Sequence, residues 1–418
     1  MVSVDGRTPD RRDGDGSVMS GFIIHDDGQG HFGPLTDLRP VFRLRTGAQW
    51  TTQRIARRIG LTPAASWVPV PLRELHAETA RRPVNELPDG DTLLCVNGRW
   101  SGLESLAAPA ASTVLANADG EVVMANLPRR DAEIWLRDGT LPEDAVTDTV
   151  EAVVYRHPWD ILDHLDATLQ DDLSASDVPV MSGDRLQVHG GHPVHIHPTA
   201  EVLPGVVADT TNGPVVVDDH AVIRSNAVLT GPCYVGPRTV ISDGAVIKGR
   251  CSFGPDCRVG GEVGASIFQS CSSKAHEGHL GDSIVGCWVN LGAGTVNSNL
   301  LNTYSEVIVR LDPDAQSMKT GRIFMGSIIG DHVRTAIGTR IMTGSVLGTG
   351  SMIATTASPP TTVPAFSWRT DKGCRNYRFD KFIDVARTVQ ARRGMEPGPA
   401  ETAALDRIAA AAASRGEG

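Results

Sequence analysis

Residues 217–264 read VDDHAV IRSNAV LTGPCY VGPRTV ISDGAV IKGRCS FGPDCR VGGEVG, eight hexads in unbroken register. The first place of each is apolar: Val217, Ile223, Leu229, Val235, Ile241, Ile247, Phe253 and Val259. The fifth is slim: Ala221, Ala227, Cys233, Thr239, Ala245, Cys251, Cys257 and Val263. Two more hexads start at Val285 and Leu291, and five at Ile329, Thr335, Ile341, Leu347 and Ile353. A helical period of 3.6 drifts out of a six-residue register, and hairpin sheets do not sustain one. A parallel β-helix does, with a short strand per hexad and three hexads per coil. Residues about 18 apart then stack at the strand spacing of roughly 4.8 Å. Val217, Val235 and Phe253 form one inward ladder, and Ile223, Ile241 and Val259 another. Each coil buries its interior only against its neighbours, so the array folds as a stack.

The chain has 418 residues, enough for two or three domains. Its 44 glycines and 5% aromatic content suit thin coils with tight corners. A formal net charge of −10 argues against nucleic acid or an anionic membrane as partner. No apolar run reaches the length of a membrane span. Residues 1–20 are polar and charged, lack the apolar core of a signal peptide, and read as a disordered lead. The seven cysteines form no CxxC pair, and three occupy inward hexad places. They read as small buried hydrophobes in a reducing cytoplasm, with Cys233 and Cys251 stacked on adjacent coils.

Residues 21–175 read as an α/β domain. Apolar runs at Phe22–Ile24, Leu93–Val96, Val122–Met124 and Ala152–Tyr155 predict strands. Thr52, Ile55, Ala56 and Ile59 mark one helix face, and Leu162, Leu165, Leu169 and Leu173 another that opens at Pro158. The alternation favours a mostly parallel, doubly wound sheet. A polar linker at Ser174–Asp184 leads to the coil array at 185–365. Departures from the array are expected at Thr211–Pro214, Phe268–Gly278 and Asn297–Ser327, and loops that leave a stack favour binding chemistry. Residues 376–414 read as a helical extension, with Phe379, Phe382, Ile383, Ala386 and Val389 on one face.

The richest departure runs Ser273-Lys-Ala-His276-Glu-Gly-His-Leu-Gly-Asp282 into Trp288-Val-Asn290-Leu-Gly-Ala293-Gly-Thr295, with Asn302-Thr-Tyr304 beyond. These runs resemble the acetyltransferase half of the bifunctional glucosamine-1-phosphate N-acetyltransferase/N-acetylglucosamine-1-phosphate uridylyltransferase family, in its divergent bacterial branch. The resemblance implies a left-handed β-helix, a breach of the usual right-handed crossover preference. It places His276 on the family's catalytic histidine, with Asn290, Asn299, Tyr304 and Lys274 as substrate contacts. Ala293, Gly294, Ala336 and Ala354 would line the coenzyme A channel between subunits of a homotrimer. The chemistry agrees: amine acetylation by a thioester needs a base near neutral pH, which an ordinary imidazole supplies. A backbone N–H can hold the developing oxyanion, and Gly292 and Gly294 permit close approach of a ligand. A histidine merely decorating a coil surface is the bland alternative. The family's phosphate-binding lysines have no clear counterparts; Lys274, Arg258 and Lys319 are the candidates to replace them.

The run Gly33-Pro-Leu-Thr-Asp-Leu-Arg39-Pro-Val-Phe-Arg43-Leu-Arg45 resembles the opening of the family's sugar nucleotidyltransferase-like domain. Arg39, Arg43 and Arg45 would clamp a triphosphate, since guanidinium forks match phosphate oxygens. A solvated basic surface is the alternative. The family's GxGTRM loop is absent, with Asp26-Asp27-Gly28-Gln29-Gly30 in its place. Asn97 stands where a magnesium-binding aspartate is expected, and an amide is a weaker ligand for Mg²⁺.

The expected function is acetyl transfer from acetyl-CoA to an amino-sugar phosphate, glucosamine 1-phosphate by resemblance. Uridylyl transfer from UTP with Mg²⁺ would follow if the N-terminal domain is active. Two rivals stand beside it. One is an acyltransferase acting on a nucleotide-linked or other amine, with an inactive N-terminal domain. The other is a zinc hexapeptide-repeat enzyme or a non-enzymatic scaffold; His189, His192, His195 and His197 have a metal-like spacing, although no cysteine or carboxylate completes a set there.

Overall fold

The computed structural model of the protein describes residues 21–181 and 186–415. The predicted disordered lead at 1–20, and residues 182–185 of the linker and the array's expected start, lie outside the described residues. Contacts divide the chain into two units. One holds residues 21–30, 40–43 and 50–156; the other holds 31–39, 44–49 and 157–415. The helices Pro158–Asp163 (α4) and Leu165–Ser174 (α5) make their contacts in the unit that holds the coils.

The first unit is built on a six-stranded sheet: β1 (Phe22–His25), β2 (Pro63–Trp67), β3 (Thr92–Asn97), β4 (Thr113–Ala116), β5 (Val122–Pro128) and β6 (Val146–Thr149). Its strand order is β2-β1-β3-β5-β4-β6. The helices α1 (Thr51–Ile59), α2 (Arg73–Thr79) and α3 (Arg129–Asp138) join the strands. Ile23, Cys95, Val114, Ala125 and Trp135 lie in one core. The sheet is mixed, because β5 runs antiparallel to both β3 and β4. A short turn at Asn117–Gly120 folds β4 back on β5, while β1–β2, β1–β3 and β4–β6 are parallel as expected. The strand expected at Ala152–Tyr155 is only an isolated bridge between Val154 and Trp100.

The second unit is a stack of coils whose three walls are sheets of six, nine and ten strands. All first-place hexad residues from Val217 to Val259 are at most 2% exposed, and the fifth-place residues from Ala221 to Val263 are all at 0%. Val217 pairs with Val235 and Val235 with Phe253; Ile223 pairs with Ile241 and Ile241 with Val259. These are the predicted ladders. Backbone hydrogen bonds run from rung to rung, as in Val222 N to Thr239 O and Val240 N to Cys257 O, both 2.9 Å. Cys233 and Cys251 face each other on adjacent rungs as free thiols, which burial holds above their ordinary pKa.

Beyond Val259 the coil shortens. Phe253 stacks on Phe268, where a full coil would bring Cys271, because Gly260 and Gly261 take a corner too tight for side chains. A Cβ on Gly260 would lie 2.3 Å from the Ala275 carbonyl. The Ser-rich stretch 268–278 was expected to leave the stack; instead Ser273–Lys274 is a wall strand on Arg258–Val259. Its hydroxyls bond within the coil: Ser272 Oγ donates to Gly286 O at 2.7 Å and accepts from Val289 N at 3.0 Å. Residues 298–326 do leave the wall, and include a small hairpin of Ile308–Val309 and Met318–Lys319. Helices α6 (Phe379–Ala391) and α7 (Pro399–Arg415) end the unit, burying Phe382, Ile383, Ala386 and Leu405 together. Among the described residues, no helix is long and apolar enough to cross a membrane.

Truncating one ladder side chain removes contacts above and below that nothing else can restore. Ile241→Ala is expected to cost about 2–5 kcal/mol in urea unfolding of the coil transition. A loss under about 1 kcal/mol would contradict the stacked interior.

Candidate functional site

Lys274 explains how the coil presents His276. It stands directly above Val259, at the next rung of the Ile223–Ile241–Val259 ladder, and is only 1% exposed. An ammonium at an inward place must find oxygen acceptors. Its Nζ donates to the carbonyls of Gly260 and His276, both at 2.9 Å. Burial lowers its pKa to about 8, with Glu277 opposing. The lysine expected to touch substrate is instead a prop under the backbone of residue 276. The His276 side chain itself is exposed. Ser242 Oγ steadies the preceding residue by donating to Ala275 O at 3.0 Å.

Small residues climb the corner beside this loop. A Cβ on Gly292 would lie 2.6 Å from the carbonyl carbon of Ala336, so that rung admits only glycine. Ala336 and Ala354 occupy successive rungs, since Thr335 pairs with Ile353 and Ala336 N bonds to Ile353 O at 2.8 Å. Ala293 sits one place off this column and accepts a bond from Gly338 N at 2.7 Å. Gly294 has φ +69, a left-handed corner that favours glycine. Of the expected channel residues, Ala336 and Ala354 share a column and Ala293 and Gly294 form the adjoining corner.

The expected substrate contacts separate into two cavities. Asn290 is exposed and lines one of about 390 Å³ with Ser273, Ala275 and Trp288. Asn299 lines another of about 640 Å³ with Lys248, Arg250 and His279, and donates to Asp282 at 2.7 Å. Tyr304 is 72% exposed on the long excursion. Lys319 is exposed and pairs with Glu306 at 3.7 Å. His195 and His197 turn to local partners, the Val178 carbonyl at 2.7 Å and Thr199 Oγ1 at 2.8 Å.

In the first unit a cavity of about 700 Å³ opens at the ends of β1 and β3, lined by His25, Asp26, Asp27, Asn97, Arg99 and Glu121 among others. Its charges answer one another. Arg99 grips Asp27 with bonds of 2.7–3.1 Å and Glu121 at 2.7 Å, while Arg156 holds Glu121 at 3.0 Å. Burial alone would raise Asp27, but Arg99 holds it below the usual carboxylate range. Burial keeps His25 near 4, hence neutral. Asn97 donates to Asp27 at 2.9 Å and to the Val122 carbonyl at 2.8 Å. With Asp27 and Glu121 bound to arginines and Asn97 an amide, this donor set does not fit Mg²⁺.

The expected triphosphate clamp is not built, because its three arginines go to other partners. Arg39 pairs with Asp331 on the coil. Arg43 lies 4.0 Å over the Trp50 ring. Arg45 donates to the Ala48 carbonyl and lies over Tyr234, while its backbone N–H donates to Gln269 at 2.8 Å. Thr349 also donates to Asp37 at 2.6 Å, so the Gly33–Gln49 run straps parts of itself to the coil.

Residues 22–177 match the family model described as sugar nucleotidyl transferase. A bifunctional sugar-1-phosphate nucleotidylyltransferase/acetyltransferase of Sulfurisphaera tokodaii is 36% identical over 87 residues, 21% of each chain. Bifunctional protein GlmU of Methanococcus vannielii is 34% identical over 92 residues, 22% of each chain. GlmU of Methanococcus maripaludis is 38% identical over 155 residues, 36% of this chain and 37% of that one. Over these stretches the chain is similar to bifunctional nucleotidyltransferase/acetyltransferases. It spans only about a fifth of the length of the first two relatives it matches. A perosamine N-acetyltransferase from Caulobacter crescentus, solved with CoA and GDP-perosamine, aligns over 86% of this chain and 97% of its own. Its identity is 13% and its TM-score 0.14, too loose a superposition to carry an inference.

Arg334, Arg392 and Arg393 line the Asn290 cavity without having been singled out in the sequence. The Arg-Arg pair ending an amphipathic helix was the one signal available.

The buried ammonium gives a pH signature. Between about pH 8 and 10.5 the unfolded chain keeps a proton on Lys274 that the folded chain has released. Stability therefore rises with pH in that window. Urea unfolding at pH 7.5 and 9.5 should show wild type gaining stability relative to Lys274→Met at the higher pH. A constant difference between the two proteins would contradict the prop.

Proposed function

We propose that the coil unit transfers an acetyl group from acetyl-CoA to the amine of an amino-sugar phosphate, glucosamine 1-phosphate being the first candidate. One observation carries the reading: an exposed imidazole whose own backbone is held by a buried lysine, next to a corner kept bare by Gly292, Ala336 and Ala354. His276 takes the amine's proton as the nitrogen lone pair attacks the thioester carbonyl carbon. The carbon–sulfur bond then breaks, and the thiolate leaves and is protonated. The slim column gives a thioester arm room against the coil, and Asn290 supplies hydrogen bonds to hydroxyls, with Asn299 reaching them from a neighbouring coil of the trimer. Kinship with bifunctional nucleotidyltransferase/acetyltransferases supports the reaction class. Assembly as a homotrimer, with the site between coils, belongs to the same reading, as does a cytoplasmic location.

A second reading concerns the N-terminal unit. Its cavity holds Asp27, Glu121 and Arg99 in mutual pairs and Asn97 where a metal-binding acid was expected. This favours recognition of a nucleotide or sugar over uridylyl transfer. Incubation with UTP, Mg²⁺ and N-acetylglucosamine 1-phosphate is expected to release no pyrophosphate; release at turnover rates would restore a bifunctional enzyme.

His276→Ala is expected to slow acetylation at least about 10²-fold, with the circular dichroism spectrum unchanged. A near-full rate would remove the assignment.

A further inference from the structure

Four arginines meet on the coil where no acid answers them. Arg258 pairs with Ser273, Ser273 with Asn290, and Asn290 with Arg334, so Arg258 and Arg334 stand in one column on a single wall. Arg392 and Arg393 follow the last turn of α6, and all four line the cavity of about 390 Å³ that holds Asn290 and Trp288. Among the described residues, none of the four guanidinium groups has a hydrogen-bond or ion-pair partner. Asp256, which acts on Arg258 through space, is held bidentately by Arg238 at 2.8 and 2.9 Å.

At other points on the coil arginines do meet acids. Arg224 meets Asp243 at 2.7 Å and Arg322 meets Asp282 at 3.4 Å. Cations at a helix C-terminus suit the helix dipole, which accounts for Arg392 and Arg393 in part. It does not account for Arg258 and Arg334, which lie on strands. The like charges work against one another: burial lowers the Arg258 pKa first, and Arg393 and Arg392 lower it further. Such a cluster is stable where an anion completes it.

We propose that this cleft binds a phosphate monoester, with Arg258 and Arg334 reaching it from the coil and Arg392 and Arg393 from α6. Four guanidinium forks offer more donors than a phosphate has oxygens. Asn290 and Ser273 are left for hydroxyls of the group that carries it. The proposal rests on the acyl-transfer reading for its meaning: Ala275 lines the same cavity and precedes His276, so a phosphate held here orients its bearer toward the imidazole. Two reactants of that reaction carry phosphate monoesters, the amino-sugar phosphate and coenzyme A through its 3′-phosphate. The cleft answers to their shared chemistry. The phosphate-binding role thus passes to a helix outside the coil.

Calorimetric titration of the full-length protein with inorganic phosphate, glucosamine 1-phosphate, coenzyme A and dephospho-coenzyme A tests this. Phosphate is expected to bind saturably and to lose at least about tenfold in affinity, or about 1.4 kcal/mol, in the double variant Arg392→Gln/Arg393→Gln. The melting temperature should hold, because both side chains lie past the end of α6. A loss shared by glucosamine 1-phosphate but not coenzyme A assigns the cleft to the acceptor. A loss confined to coenzyme A, abolishing its advantage over dephospho-coenzyme A, assigns it to the donor. Unchanged phosphate affinity in the double variant and in Arg334→Gln would overturn the proposal. His276→Ala should bind phosphate as wild type does. Phosphate binding in a wild-type protein that transfers no acetyl group would therefore sink the acyl-transfer reading alone.

Discussion

The inside of this coil is one side chain deep. Each wall offers an inward place for one sizeable apolar residue and a corner place for one slim residue, repeated up the stack. Val217, Val235 and Phe253 fill the first kind of place, and Cys233 and Cys251 the second. Neither has slack, because the rung above and the rung below close the space. Backbone hydrogen bonds run between rungs, so a coil that left the stack would strand its own amides and carbonyls. Position in the sequence therefore dictates which side chains face in, which face out, and at what height.

That rigidity is what makes an exposed imidazole useful. A histidine on a free loop samples many poses, and orienting it on binding would cost conformational entropy. Here the shortened coil after Gly260 and the inward Lys274 hold the loop from beneath. The lysine carries a desolvation penalty, visible in its lowered pKa, and two carbonyl bonds offset it. An apolar residue at that rung would pack as well, yet it could not reach the His276 carbonyl. The exception to the inward rule thus lies directly under the residue to which the proposed acetyl transfer assigns the amine's proton.

The repeat was legible because it is local and periodic: the ladders, the slim corners and the amphipathic face of α6 are all written at fixed spacings. The shortened coil was not, since glycines at 260 and 261 change the number of residues per turn without disturbing the apolar pattern. Serines at 270 and 272 read as loop chemistry, whereas Ser272 sits inside the wall with its hydroxyl bonded to it. The run around Arg39 looked like a phosphate clamp because its partner, Asp331, is far away in sequence. Similarly, β5 read as one more strand of a parallel sheet, its direction being set by the turn before it. The arginine cleft draws on four positions from 258 to 393, so no window of sequence contains it. His276 stood out through its neighbours, and the carbonyl bond beneath it required coordinates.

The most direct test is whether the wild-type protein moves an acetyl group at all. With acetyl-CoA and glucosamine 1-phosphate, free thiol should appear in step with N-acetylated sugar phosphate, one for one, and only when both reactants are present. Thiol release that ignores the amine, or none with any amino-sugar phosphate, would contradict the account.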